Sequence, residues 1–111
     1  MSLPLKIAPS ILSADFGRLN EEISSVQEHV DFLHVDVMDG HFVPNLTLGA
    51  PVVKCLKSAV PMECHLMIAN PEKYVEDFAK AGAWMITIHV EATSGAGKKG
   101  EDRTAEVLNQ I

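Results

Sequence analysis

An α/β fold built on a parallel sheet is what the sequence predicts, and three observations carry that expectation. Short β-rich runs alternate with amphipathic stretches four times along the chain. Each run carries its polar residues towards its C-terminal end, where parallel α/β proteins place their active sites. The units also recur at the spacing of a βα repeat, which implies right-handed parallel crossovers. Two architectures remain open at this point: a complete small sheet, or part of a closed (β/α)₈ barrel, which typically takes about 200 to 250 residues. Four units make half of eight.

The elements follow in order. Lys6 to Leu12 reads as a first strand, with Pro9 barring an ordinary central ladder position. After the connection ADFGR, the spacing of Leu19, Ile23 and Val26 predicts an amphipathic helix over Leu19 to His29. Phe32 to Val37 is a second strand, and MDGHFVPN after it has the punctuation of a long loop. Pro51 opens a second helix that runs to about Ser58, with Val52, Val53 and Leu56 as its packing face, and Pro61 breaks the chain again. Met62 to Ile68 is the third strand. Asn70, Pro71 and Glu72 then supply an N-cap, a first-position proline and a first-turn carboxylate for a helix reaching about Ala81, which Gly82 stops. Met85 to Val90 is the fourth strand, and Asp102 to Ile111 starts a fourth helix on Val107, Leu108 and Ile111.

Composition bounds the function. With 111 residues, 47% hydrophobic and 22% charged, the chain has an ordinary globular balance that excludes wholesale disorder and a disulfide-packed miniprotein. A formal charge of −6 argues against general nucleic-acid binding. No segment approaches the roughly 20 apolar residues of a membrane span, and MSLPLKIAPSIL lacks the pattern of a signal peptide, so a cytoplasmic protein without a membrane partner is expected. Cys55 and Cys64 have no CxxC spacing and are expected to be reduced. No GxGxxG or GxxxxGK-S/T loop follows the first strand, which removes support for nucleotide-binding sheets.

Alternation along the strands gathers the chemistry. His34 and Asp36 share one face of the second strand; His65 shares its face with Glu63 and Met67, leaving Cys64 opposite. Thr87, His89 and Glu91 alternate with Ile86, Ile88 and Val90, and Ser10 closes the first strand. Two imidazoles and one carboxylate suit a divalent cation, Zn²⁺ or Fe²⁺. The alternative is a hydrogen-bonded polar layer in the core, and spacing alone does not separate the two. With a metal present, Asp36 could both ligate it and remove a proton while the cation stabilises an enediolate oxygen. Met38 and Met67 would line the pocket or fill the core. Asp39 and Asn45 are read as turn organisers, His89 and Glu91 as supports of the ligands, His29 as a solvated helix-end residue, and Lys98-Lys99 as a solvated loop that could meet phosphate.

The run LHVDVMDGHFVPNLT, Leu33 to Thr47, closely resembles the first signature of the ribulose-phosphate 3-epimerases. IAPSILSADF (Ile7 to Phe16), CHLMIANPEKYV (Cys64 to Val75) and AGAWMITIHVEAT (Ala81 to Thr93) resemble the same family's successive strand ends, in order. This resemblance implies a (β/α)₈ TIM barrel of which the 111 residues supply about the first four βα units. It implies an isomerase that interconverts D-ribulose 5-phosphate and D-xylulose 5-phosphate, with a phosphosugar substrate and a homo-oligomeric, cytoplasmic enzyme. His34, Asp36 and His65 match three of the family's metal ligands, and Asp36 matches one of its two acid/base carboxylates. Ser10 and His65 match substrate contacts, with Met38 and Met67 lining the pocket. The second carboxylate lies on the family's strand seven and the phosphate loops follow strands six to eight, so the isolated chain is expected to be inactive. SGAGKKGED departs from the usual connection after strand four. Two other readings stand beside this one: an epimerase of a related ketohexose 6-phosphate, and a noncatalytic half-barrel that binds metal or oligomerises.

Overall fold

The computed structural model describes residues 3–94 and 102–111. Three parallel strands, β1 (Leu33–Met38), β2 (Met62–Met67) and β3 (Met85–Ile88), form one sheet in the order β1-β2-β3. Helix α1 (Leu19–Val26) precedes β1, α2 (Ala50–Val53) joins β1 to β2, and α3 (Val75–Ala81) joins β2 to β3. After β3 come α4 (Val90–Thr93) and α5 (Thr104–Gln110). The alternation of parallel strands with helices is that of a partial (β/α) barrel, and the sheet does not close on itself among the described residues.

Register is set by burial. The strand pairing places Val35 beside Cys64 and Val37 beside Leu66, and these four side chains are among the most buried in the molecule. Ile86 and Ile88 extend the same rows onto β3. Ile23 of α1, Val53 of α2, Val75 and Phe78 of α3 and Val107 of α5 pack into one cluster with this face, and each fully buried aliphatic side chain contributes about 1.5–3 kcal/mol. The opposite face carries His34, Asp36, Met38, Glu63, His65 and Met67, all half-buried.

The expected first strand is the main correction. Only Ser10 pairs, as an isolated parallel bridge to His34, and Ile11–Ser13 is a single 3₁₀ turn. Pro9 has no N–H to give a ladder, so this segment joins the sheet through its carbonyls: Asp31 N–H donates to Ile7 O at 2.8 Å and His34 N–H to Pro9 O at 2.9 Å. The Ser10 hydroxyl accepts from Leu12 N–H at 3.1 Å, which turns the chain away. The second helix is likewise shorter than the Pro51-to-Ser58 reading. Beyond Val53 the bonds tighten to i→i−3, Cys55 N–H to Val52 O and Leu56 N–H to Val53 O, because the two valines propagate a helix weakly.

Asn70 provides no side-chain cap; Pro71–Lys73 forms a 3₁₀ turn and the α-helix starts only at Val75. Gly82 ends it as expected, at φ 116°, a left-handed conformation that favours glycine. Strand β3 stops at Ile88, so Glu91 sits in α4 instead of on the strand. Both cysteines are free, with Cys55 exposed and Cys64 buried. Lys98 and Lys99 fall outside the described residues. Among the described residues no helix is long and apolar enough to cross a membrane.

Candidate metal centre

Pairing of β1 with β2 sets Asp36 beside His65 and His34 beside Glu63, and because all four point to the half-buried face their polar atoms converge. His34 Nε2 lies 2.9 Å from Asp36 Oδ1 and 3.2 Å from His65 Nδ1, and His65 Nδ1 lies 3.1 Å from Asp36 Oδ1. These three atoms form a nearly equilateral triangle. Ligand atoms on neighbouring corners of an octahedron with bonds of about 2.1 Å are separated by about 3.0 Å, and those of a tetrahedron by about 3.4 Å. The observed edges suit three ligands on one face of a cation, with the far side open. Mixed imidazole and carboxylate donors suit a divalent cation.

Asp36 and His65 are each held from behind. The Ser10 hydroxyl donates to Asp36 Oδ2, so the residue that bridges the N-terminal segment to β1 also fixes the carboxylate. Burial pushes the Asp36 carboxyl up, but the Ser10 hydrogen bond and the His34 and His65 imidazoles outweigh it and hold the group below the usual carboxylate range. Behind His65, His89 stacks on its ring with centroids 4.8 Å apart and places Nε2 at 2.6 Å from His65 Nε2. His89 thus packs against the His65 ring and meets its outer nitrogen. Glu91 does not reach that far: it is exposed and its Oε2 is 3.7 Å from His89 Nδ1.

Met38 and Met67 are paired across the strands, one step closer to the strand ends than Asp36 and His65, and wall the same face. Asp39 organises the loop beyond β1 by accepting from the N–H groups of His41, Phe42 and Ala69, and Asn45 accepts from Leu46 N–H. His29 is exposed at the end of the 3₁₀ turn after α1. Two residues went unassigned in the sequence reading. Thr47 clips the loop to β1, donating to Asp36 O at 2.7 Å and accepting from Met38 N–H at 3.0 Å. Glu63 places Oε1 2.5 Å from His34 Nδ1, and only the strand register reveals that partner.

The model of the ribulose-phosphate 3 epimerase family matches residues 6–105. The chain belongs to that family. Ribulose-phosphate 3-epimerases of Mycobacterium leprae, Synechocystis sp. and Bacillus subtilis are 56%, 57% and 50% identical over 102, 94 and 91 residues, covering 89%, 82% and 79% of this chain. The chain spans 45%, 41% and 42% of those epimerases' own lengths. His34, Asp36 and His65 all lie within the span matched to the epimerase family.

Proposed function

We propose that the chain forms the metal-binding part of an isomerase that inverts carbon 3 of a ketopentose phosphate, interconverting D-ribulose 5-phosphate and D-xylulose 5-phosphate. In this reading residues 1–111 are the N-terminal half of a (β/α)₈ barrel and the enzyme is a cytoplasmic homo-oligomer. One observation carries the chemistry: three metal-competent donor atoms on neighbouring parallel strands meet within hydrogen-bond distance of one another on the open face of the sheet. The names of the similar proteins supply the substrate class.

His34, Asp36 and His65 would hold one Zn²⁺ or Fe²⁺, which when bound stabilises negative charge developing on the substrate. Asp36, kept ionised by its neighbours, takes the proton from carbon 3 as the electrons of that C–H bond pass into the adjacent carbonyl to give an enediolate. Ser10 and His65 contact the sugar, Ser10 also orienting Asp36, and Met38 and Met67 wall the pocket against water. Return of a proton to the opposite face needs a second acid. Glu63 is engaged with His34 and Thr87, and Asp39 with three backbone N–H groups. The resemblance to the epimerase family assigns that role to a second carboxylate outside these residues, so the 111-residue chain alone would be inactive.

Turnover of D-ribulose 5-phosphate by the full-length protein in deuterated water tests the assignment. Asp36→Asn should lower turnover by about 10²-fold or more and abolish deuterium entry at carbon 3. Near-normal turnover in that variant would reject the role given to Asp36, and a strong preference of the wild type for a ketohexose 6-phosphate would reject the substrate.

A further inference from the structure

We infer that Glu63, held by Thr87, is a positioning residue that fixes the tautomer of His34 so that the Nε2 lone pair faces Asp36 and His65. The inference rests on the metal-centre reading above and deepens it: it identifies what makes His34 a donor to a cation at all. An ionised carboxylate only accepts hydrogen bonds. At 2.5 Å from Glu63 Oε1, His34 Nδ1 must therefore carry the proton, and in the neutral ring Nε2 is then left with its lone pair. That lone pair points at Asp36 Oδ1, 2.9 Å away, which is itself an acceptor. Two acceptors at that separation repel unless a proton or a metal ion lies between them.

The carboxylate is itself constrained. Thr87 Oγ1 donates to Glu63 Oε2 at 3.0 Å, so the two oxygens of Glu63 are divided between a hydroxyl on β3 and an imidazole on β1. Glu63 is only 16% exposed, which limits competition from water for either bond. Its placement follows from the register, because β2 sets Glu63 beside His34 and, two residues on along the same face, His65 beside Asp36. A single Glu-x-His on β2 thus supplies one ligand and the orienter of another. Among the described residues no carboxylate anchors the outer nitrogen of His65 in the same way. Its outer nitrogen meets His89 Nε2, a group that serves as donor or acceptor according to its own tautomer, so only the His34 side is fixed by charge. A metal-bound histidine commonly donates its other N–H to a carboxylate, and removal of that carboxylate typically weakens metal binding 10–100-fold.

The test uses the full-length protein labelled with ¹⁵N-histidine, together with its Glu63→Gln and Glu63→Leu variants. Two-bond ¹H–¹⁵N spectra of the metal-free proteins at neutral pH report which ring nitrogen of His34 is protonated. The wild type and the glutamine variant, whose amide oxygen still accepts, should show Nδ1–H, and the leucine variant should lose it. Zinc affinity, measured by competition with a chromophoric chelator, should fall 10–100-fold in Glu63→Leu and be largely retained in Glu63→Gln. A structural ion pair would instead leave both ring nitrogens of wild-type His34 protonated, and circular dichroism reports the fold of each variant. Nε2–H in wild-type His34 overturns the inference, as does a folded leucine variant that keeps both Nδ1–H and wild-type affinity. The wild-type spectrum decides the tautomer even if the leucine variant does not fold. A wild type with Nδ1–H that takes up no zinc overturns the metal-centre reading while leaving the assignment of Glu63 standing.

Discussion

Replacing Asp39 by alanine should destabilise the loop that frames the candidate centre, and both its size and its pH dependence follow from three hydrogen bonds. Asp39 Oδ1 accepts from His41 N–H and Phe42 N–H at 2.9 Å each, and Oδ2 accepts from Ala69 N–H at 2.8 Å, tying the loop after β1 to the segment after β2. A hydrogen bond to a charged acceptor contributes about 1.5–3 kcal/mol, and water recovers part of it at exposed positions. With the Ala69 bond counted in full and the two loop bonds in part, Asp39→Ala should cost about 2–4 kcal/mol. For a domain of this size that lowers Tm by about 10 °C or more. Burial pushes the Asp39 carboxyl up, but the three N–H donors outweigh it and hold the group below the usual carboxylate range. A depressed folded-state value makes this stabilisation complete above the unfolded value of about 4, and it fades as pH falls through the lower folded value. The gap between wild type and variant should therefore be constant from near-neutral pH to about pH 5 and narrow on further acidification. Urea unfolding followed by circular dichroism at several pH values measures it. A gap below about 1 kcal/mol at neutral pH, or one that does not narrow in acid, would refute the reasoning.

Two further expectations concern the faces of β2. Leu66, fully buried, should cost about 2–5 kcal/mol on truncation to alanine, whereas half-buried Met67 on the other face should cost clearly less; equal losses in urea melts would contradict the assigned core. Burial, with a contribution from Glu63, pushes the Cys64 thiol up to about 11, so mild alkylation of the folded chain should label exposed Cys55 and spare Cys64, as read by mass spectrometry; comparable labelling of both would count against the packing around Cys64.

Much of the site was legible in sequence because a strand has a strict period. His34 and Asp36, two residues apart, share a face in any strand that contains them, and Cys64 must oppose His65. What periodicity does not carry is the alignment of one strand against the next. Glu63 was visible beside His65 but acquires its partner only through the pairing of Glu63 with His34, and Thr47 reaches β1 only through the path of its loop. The first strand misled for a local reason: KIAPSIL has strand-like composition, yet Pro9 lacks a donor and Ser10 spends its hydroxyl on a turn and on Asp36. The second helix fell short because Val52 and Val53 satisfy the apolar spacing of a helix while being weak helix formers, and composition does not show how few of its side chains find a core to pack on.

The alternation of a dry and a wet face along β1 and β2 also determines how this sequence can change. Demands of folding fall on 33, 35, 37, 62, 64 and 66, and demands of chemistry on the positions between them, so the two sets can vary almost independently by substitution. Insertion or deletion is another matter. Shifting either strand by one residue would turn its carboxylate and imidazole towards the helices and its aliphatic side chains towards the pocket, losing the core and the His34–Asp36–His65 cluster in one step. Substitution within each set is thus far less costly to this segment than any change in strand length or register.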